Sequence, residues 1–323
     1  MRVLHVTAAF PSANNPQSGV FIHSQIESQR ERGIEIDVCV LRGKGLWKYV
    51  SGIYQIRKAL HKNSYDLVHA HYMYTGWTAR LATSLPLVVT YLGTDMFGKC
   101  NADGKYKPLS RLFCRFGSQF LSRVVSHNIA QSKQMVGYLV TKSSVVSYGV
   151  NLNVFSQKPY LRHQLDLDES KFYVLFAGSK TNAIKRYNLA LSSVEIARRQ
   201  YPSIEIITIE KQTQEQVARY LNVVNCLVLT SAHEGSPNIV KESLACNLPV
   251  ISVDVGDVRE RLEGVDNCHI VDANPNSIAE GILAVYHSGG RASNGRDKIA
   301  ELSMPNVAEE MNNLYNDILK IPQ

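Results

Sequence analysis

The stretch that most constrains the fold of this chain runs from Cys226 to Val253. Two short apolar runs, Cys226-Leu-Val-Leu-Thr-Ser231 and Pro249-Val-Ile-Ser-Val253, have the composition of buried strands. Between them, Ser236-Pro237 reads as an N-cap followed by a first-turn proline, and Asn247-Leu248-Pro249 as a helix exit. Strand, helix and strand in that order predict two parallel neighbours, and hence an α/β chain. Open sheets of this kind bind ligands beyond the carboxyl ends of their strands, which is where Glu234 lies. Glu242 falls one turn inside the helix, on the face of Asn238 and Ile239.

Chemistry follows from that placement. The backbone N–H groups of Asn238, Ile239 and Val240 open the helix with the positive end of its dipole, so a phosphate there needs no side-chain cation. Two carboxylates at the mouth and in the first turn can take hydrogen bonds from sugar and ribose hydroxyls. An ordinary strand–loop–helix with solvated glutamates is the plain alternative. The glutamates are tied, however, to Gly235, Ser236, Pro237 and the Ala245-Cys-Asn-Leu-Pro249 exit. The whole stretch resembles the donor-site signature of glycosyltransferase family 4, retaining transferases with the GT-B fold. The resemblance implies that Glu234 and Glu242, its E-x7-E pair, hold the sugar and ribose of a nucleotide-sugar. The wording through Leu262 is most similar to transferases of bacterial surface polysaccharides, the teichuronic-acid and exopolysaccharide type.

Composition sets bounds on the partner. The 323 residues suffice for two cores, and 45% apolar with 20% charged residues is a globular balance. No apolar run reaches the length of a membrane span, and MRVLHVTAAFP reads as a first strand rather than a signal peptide. Six cysteines without a C-x-x-C pair suggest reduced, structural thiols and a cytoplasmic setting. The net charge of +7 is unevenly spread: residues 1–165 carry 20 Lys+Arg against 7 Asp+Glu, and residues 166–323 carry 15 against 21. Between Gly104 and Leu165 there are nine cations and no acid. The asymmetry suggests an anionic partner of the first half, and the family resemblance implies a membrane face or the phosphate of a lipid-linked acceptor. No aromatic-interleaved basic motif or recognition helix supports nucleic acid.

The chain opens with a βαβ pattern: strand 3–9, helix Phe21–Arg32 and strand Glu35–Leu41. Its first turn carries only Gly19 in place of G-x-G-x-x-G, which counts against a dehydrogenase. Gly19 is either a donor-diphosphate contact, as the family implies, or a plain helix-start glycine. Tyr65-Asp-Leu-Val-His-Ala70 resembles the family's D-V-V-H-A-H strand end. His69 and His71 share one strand face, but no third ligand has an obvious spacing, so no metal is expected. His71 and, after the next strand, Asp95 are the acceptor-side candidates, with Gly93 and Thr94 as further polar contacts. Leu92 stands where many members carry a histidine. Residues 109–121 put Leu109, Leu112, Phe113, Phe116 and Phe120 on one helical face, facing the core or lying on a membrane. Segments 123–130 and 144–148 read as strands.

Asp166 and Asp168, formally a D-x-D pair, precede a strand instead of following one, and are rejected as metal ligands. After strand Phe172–Gly178, Lys185 matches the family's diphosphate lysine. Ser179 replaces its arginine, with Lys180 beside it. The expected donor site is therefore Gly19, Gly178, Lys180, Lys185, Glu234, Gly235, Ser236, Asn238, Ile239 and Glu242, with Glu234 and Lys185 as the catalytic pair. An amphipathic last helix, as in GT-B proteins, crosses back to the first domain. The expected division is 1–157 plus 306–323 for the acceptor side and 158–305 for the donor side. The reading is a metal-independent sugar transfer from a nucleotide-sugar, UDP-linked by preference, with no cofactor. The rivals are another GT-B activity such as a nucleotide-sugar epimerase, or a catalytically weak scaffold.

Overall fold

A computed structural model describes residues 1–13, 15–101, 104–289, 291 and 294–320. The alternation of short apolar runs with amphipathic segments becomes two parallel sheets, each in a unit of its own. One unit holds residues 1–99, 106–149 and the segment from Met304; the other holds 100–105 and 150–303. The division thus falls at Gly149/Val150 and Ser303/Met304, where the sequence suggests 157/158 and 305/306. Val150 and Phe155 already belong to the second hydrophobic core, which draws the boundary forward.

The first unit runs β1 Arg2–Thr7, α1 Val20–Glu31, β2 Glu35–Val40, α2 Trp47–Lys62, β3 Leu67–His71, α3 Met73–Ala82 and β4 Leu87–Thr90. It continues with α4 Thr94–Phe97, α5 Pro108–Val124, β5 His127–Ala130, α6 Lys133–Val136 and β6 Ser143–Val145. The sheet order is β2-β1-β3-β4-β5-β6, so chain direction across the sheet reverses between β1 and β3. Alternate strand residues feed two cores. Leu4, Val68 and Val89 meet Ile56, Met73 and Leu121, while Val3, Leu67 and Val88 meet Ile22, Ile26 and residues of the closing helix Met304–Leu319.

Helix α5 corrects two expectations. It runs to Val124, so β5 begins only at His127, not at 123. Its buried residues are Cys114, Ser118, Leu121 and Ser122, while Leu109, Leu112, Phe113, Phe116 and Phe120 are 50–84% exposed. The core-facing alternative is therefore wrong. Small residues win the inner face because close approach is needed there. A Cβ on Gly117 would lie 2.7 Å from the Met73 sulfur, Trp77 Nε1 donates to the Gly117 carbonyl at 3.1 Å, and Ser118 Oγ donates to the Asp95 carbonyl at 2.9 Å.

The second unit runs β7 Phe172–Ala177, α7 Tyr187–Gln200, β8 Ile204–Ile209, α8 Gln214–Val223, β9 Cys226–Leu229 and α9 Asn238–Ala245. Then come β10 Val250–Val253, α10 Val258–Leu262, β11 His269–Val271, α11 Pro275–Ser288 and α12 Gly295–Lys298, and the closing helix is α13. The order β11-β10-β9-β7-β8 reverses between β9 and β7, and β9 and β10 pair in parallel. Helix α9 begins one residue later than a Ser236 cap would place it. Pro237 occupies the N-cap position, and the Ser236 hydroxyl donates to Asp257 Oδ2 at 2.8 Å instead. Asn247 ends the turn in the left-handed region, φ 52°, and accepts the Arg296 N–H at 2.9 Å. Among the described residues no helix is long and apolar enough to cross a membrane.

Candidate active site

In the second unit the loops after β7, β9 and β10 meet beyond the strand ends, beside the point where strand order reverses. Gly178 ends β7 at φ +145°, and a Cβ there would stand 3.2 Å from Lys185 Cγ, so its smallness lets the lysine stem lie across the turn. Lys185 Nζ donates to Glu234 Oε1 at 2.6 Å. The two side chains are 24% and 18% exposed, sheltered yet within reach of a ligand. The loops are stitched together behind this pair. Thr230 Oγ1 donates to the Lys185 carbonyl at 2.7 Å, the Ala232 N–H to the Ile184 carbonyl at 2.8 Å, and the Arg186 guanidinium to the carbonyls of Thr230 and Ser231. The third loop is as tightly seated: a Cβ on Gly256 would fall 2.4 Å from the Gly235 carbonyl oxygen.

The start of α9 completes the constellation. Val240 N–H turns back to the Pro237 carbonyl at 3.1 Å, so among the described residues the Asn238 and Ile239 N–H groups are the ones at the helix start without a backbone partner, two donors where three were expected. The Asn238 side-chain oxygen is buried with no hydrogen-bond partner. Glu242 is half-buried, and no described protein group hydrogen-bonds its carboxyl. Burial pushes its pKa up to about 7, against the opposing charge of Lys241. A carboxyl balanced there can both donate to and accept from hydroxyl groups. Lys180, by contrast, is held with Nζ 5.0 Å above the Tyr187 ring, and Ser179 Oγ lies 3.0 Å from Thr181 Oγ1. Asp168 accepts from Ser170 in the loop ahead of β7, away from the strand ends that carry the other groups.

The first unit presents a different kind of strand end. Gly19 opens α1 at φ +65°, and a Cβ there would sit 2.2 Å from the Ala9 carbonyl oxygen, so glycine is required by the loop itself. His5 on β1 lies beside His69 on β3 in the register, and His71 follows two residues on. All three imidazoles are buried. Thr90 Oγ1 meets His69 Nε2 at 2.7 Å, and His69 Nδ1 meets the Tyr315 hydroxyl at 2.6 Å. That hydroxyl lies 3.4 Å from His5 Nε2, His5 Nδ1 is 2.9 Å from His71 Nε2, and His71 Nδ1 is 2.8 Å from the Tyr148 hydroxyl. A neutral imidazole donates once and accepts once, so the series from Thr90 to Tyr148 closes with every proton pointing the same way along it. Burial holds the His5 and His69 pKa values well below the usual imidazole range and that of His71 at about 3. His5 is the third imidazole the sequence did not disclose, and both nitrogens of each ring are engaged.

Asp95 is equally internal. Its Oδ1 accepts the Leu92 and Gly93 N–H groups at 2.9 Å, and its Oδ2 accepts that of Met73 at 2.9 Å. Burial raises its pKa to about 6 despite those bonds. His71 and Asp95 therefore serve as interior groups that hold the strand ends, rather than as polar atoms on an open acceptor surface.

Residues 2–147 match the glycosyl transferase 4-like domain, and residues 157–288 match the glycosyl transferases group 1 domain. The chain belongs to this GT4-type glycosyltransferase family. Its fold is GT-B. A sucrose-phosphate synthase from Thermosynechococcus elongatus superposes with a TM-score of 0.82 at 16% identity, covering 99% of this chain and 100% of that one. Anabaena HepE, solved with UDP and glucose, superposes at 0.73 with 14% identity, covering 98% of this chain and 100% of its own. Among relatives in sequence, the putative teichuronic acid biosynthesis glycosyltransferase TuaC of Bacillus subtilis is 24% identical over 89% of this chain and 90% of its own length. A D-inositol 3-phosphate glycosyltransferase of Streptosporangium roseum is 24% identical over 78% of this chain and 68% of its own.

Several groups that shape the candidate site are silent in the sequence. Lys241 lies in α9 directly before Glu242 and is 1% exposed, and burial lowers its pKa to about 8. Asp257, at the end of the β10 loop, accepts from both Ser236 Oγ and Arg261 Nε, the latter at 2.9 Å. The i, i+4 spacing of Asp257 and Arg261 was a signal for that pair. Nothing in the local wording links it to Ser236, which lies in a different loop.

Proposed function

We propose that the second unit binds a nucleotide-sugar, UDP-linked by preference, and that the chain transfers its sugar with retained anomeric configuration to a lipid-linked glycan in surface-polysaccharide assembly. The Lys185–Glu234 pair beside the α9 start carries the reading. A donor diphosphate would replace Glu234 as the partner of Lys185 and take the Asn238 and Ile239 N–H groups, while Glu234 and Glu242 turn to sugar and ribose hydroxyls. Gly178, Gly235 and Ser236 shape the cradle, and Lys180 adds charge at its rim. The anomeric carbon–oxygen bond to the diphosphate breaks, and a bond to the acceptor oxygen forms on the same face. The acceptor's hydroxyl proton passes to the departing phosphate oxygen, and Lys185 with the helix-start amides meets the charge that develops there without a metal ion. The similarity to HepE, solved with UDP and glucose, and to TuaC, named for teichuronic acid biosynthesis, supports the donor and the pathway class.

The test is a thermal-shift screen against UDP-, GDP- and ADP-sugars, followed by product analysis with the donor that binds. A donor at about 100 times its dissociation constant adds roughly 2.7 kcal/mol of stability. No shift with any of them removes the donor reading, and conversion of the donor to its epimer without an acceptor replaces transfer by epimerisation.

A further inference from the structure

The outer face of α5 is built in reverse. Leu109, Leu112, Phe113, Phe116 and Phe120, with Trp77 from α3, line an open groove of about 790 Å³. Water is a poor neighbour for five large apolar side chains in one stripe, and a patch of this kind marks a surface that something covers. The rings extend it further. Phe113 stacks with Tyr74 at 6.1 Å, and Tyr74 with Tyr49 at 5.2 Å, which carries the aromatic surface over α3 to α2, where Leu46, Trp47 and Val50 are exposed.

Charge tells what covers it. A second groove, lined by Tyr106, Pro108, Arg111, Leu112 and Arg115, adjoins the first through their shared Leu112. Arg111 is held over the Tyr106 ring at 4.6 Å, Arg115 over Tyr138 at 5.8 Å and Arg123 over Phe120 at 5.4 Å, so the guanidinium groups are set beside the apolar stripe. No acid occurs in the sequence between Gly104 and Leu165. Were a second copy of the chain to cover the stripe, its two-fold partner would bring the same cationic rim against this one. Hydrocarbon bordered by anionic headgroups fits both features at once.

We propose that α5, with the aromatic surface continuing to α2, is a docking surface for an anionic bilayer, its phenylalanines entering the acyl boundary and Arg111 and Arg115 meeting lipid phosphates. The proposal rests on the lipid-linked acceptor of the preceding reading for its purpose, but not for its test. Flotation is performed with vesicles of phosphatidylcholine alone and with vesicles of phosphatidylcholine and phosphatidylglycerol in about equal parts. The chain is expected to float with the anionic vesicles only and to be released at high salt. Phe113→Asp with Phe116→Asp, and separately Arg111→Glu with Arg115→Glu, are each expected to lower recovery about tenfold or more. Both pairs are solvent-exposed, and an unchanged melting temperature verifies that the variants are folded. Acyl chains brominated near the headgroup should quench Trp77 emission in a Trp47→Phe background, because Trp77 lines the groove. Equal recovery with both vesicle types, none with either, or a dimer whose formation is abolished by Phe113→Asp with Phe116→Asp would overturn the proposal. Donor binding, measured on the same variants by thermal shift with UDP-glucose, reports separately on the glycosyltransferase reading.

Discussion

The two sheets share a topology and differ at their carboxyl ends. In the second unit the groups at the strand-order reversal are charged and partly open: Lys185 against Glu234, Glu242 with no hydrogen bond to its carboxyl among the described residues, and two amide donors at the start of α9. In the first unit the corresponding place is filled by neutral groups that satisfy one another, from Thr90 through three imidazoles and the Tyr315 phenol to the Tyr148 hydroxyl. A reversal point of a parallel sheet supplies a crevice, but the residues there decide whether the crevice receives a ligand or closes on itself. Unmet hydrogen-bonding capacity and retained charge are the grounds on which we propose the second unit as the one that receives the donor.

Substitutions at the open end should act on turnover, and those at the closed end on stability. The largest effect is expected from Lys185→Ala and Glu234→Ala, which should each lower transfer by about 100-fold or more while leaving the unfolding transition in place. Steady-state kinetics with circular dichroism on the same samples decides this, and near wild-type rates in both variants would dissolve the distinction. Next comes acid. The imidazoles of His5, His69 and His71 are held below the ordinary value of 6.5, so the unfolded chain binds protons that the folded one refuses. Their contribution is complete above about pH 6.5 and is lost as pH falls from there toward the His71 value of about 3. Denaturant titrations between pH 7 and pH 4 should therefore show the first unit failing first. Tyr315→Phe, which removes the hydroxyl between His69 and His5, should cost about 1–3 kcal/mol at pH 7 and leave donor affinity unchanged.

Glu242 blurs the comparison usefully, because it is a proposed site residue that should weaken its own fold. Its folded pKa of about 7 lies above the ordinary 4.5, so stability is fullest below pH 4.5 and declines as pH rises through 7. Glu242→Gln is expected to gain about 1–2 kcal/mol at pH 8, allowing for partial solvent contact, and nothing at pH 4, while losing transfer. Paired melting curves at the two pH values measure it. The smallest effect is expected from chelation. EDTA should leave both transfer and the melting temperature unchanged, since the three imidazoles are already bonded to one another and to hydroxyls. A fall in either would mean that a metal ion holds one of the two ends.

Local wording alone determined the strand–helix–strand unit around α9, the parallel sheets and the E-x7-E pair. It did so because apolar periodicity, Pro237, Asn247 and the glycines act on chain segments a few residues long. The resemblance to the family pointed to Lys185 after Gly178, though not to its amine resting on Glu234, 49 residues further along. Three outcomes belonged to the tertiary structure. Ser236 lies outside the helix because Pro237 takes the N-cap position, and its hydroxyl donates to Asp257, brought in from the next loop. His71 and Asp95 became framework because β1, the α3 start and α13 bring His5, the Met73 amide and Tyr315 to the same buried strand ends. Helix α5 turned its phenylalanines outward because the space beside Met73 and Asp95 admits only Gly117 and Ser118. Periodicity reveals that a helix has an apolar face, but the fit against its neighbours selects which face is buried.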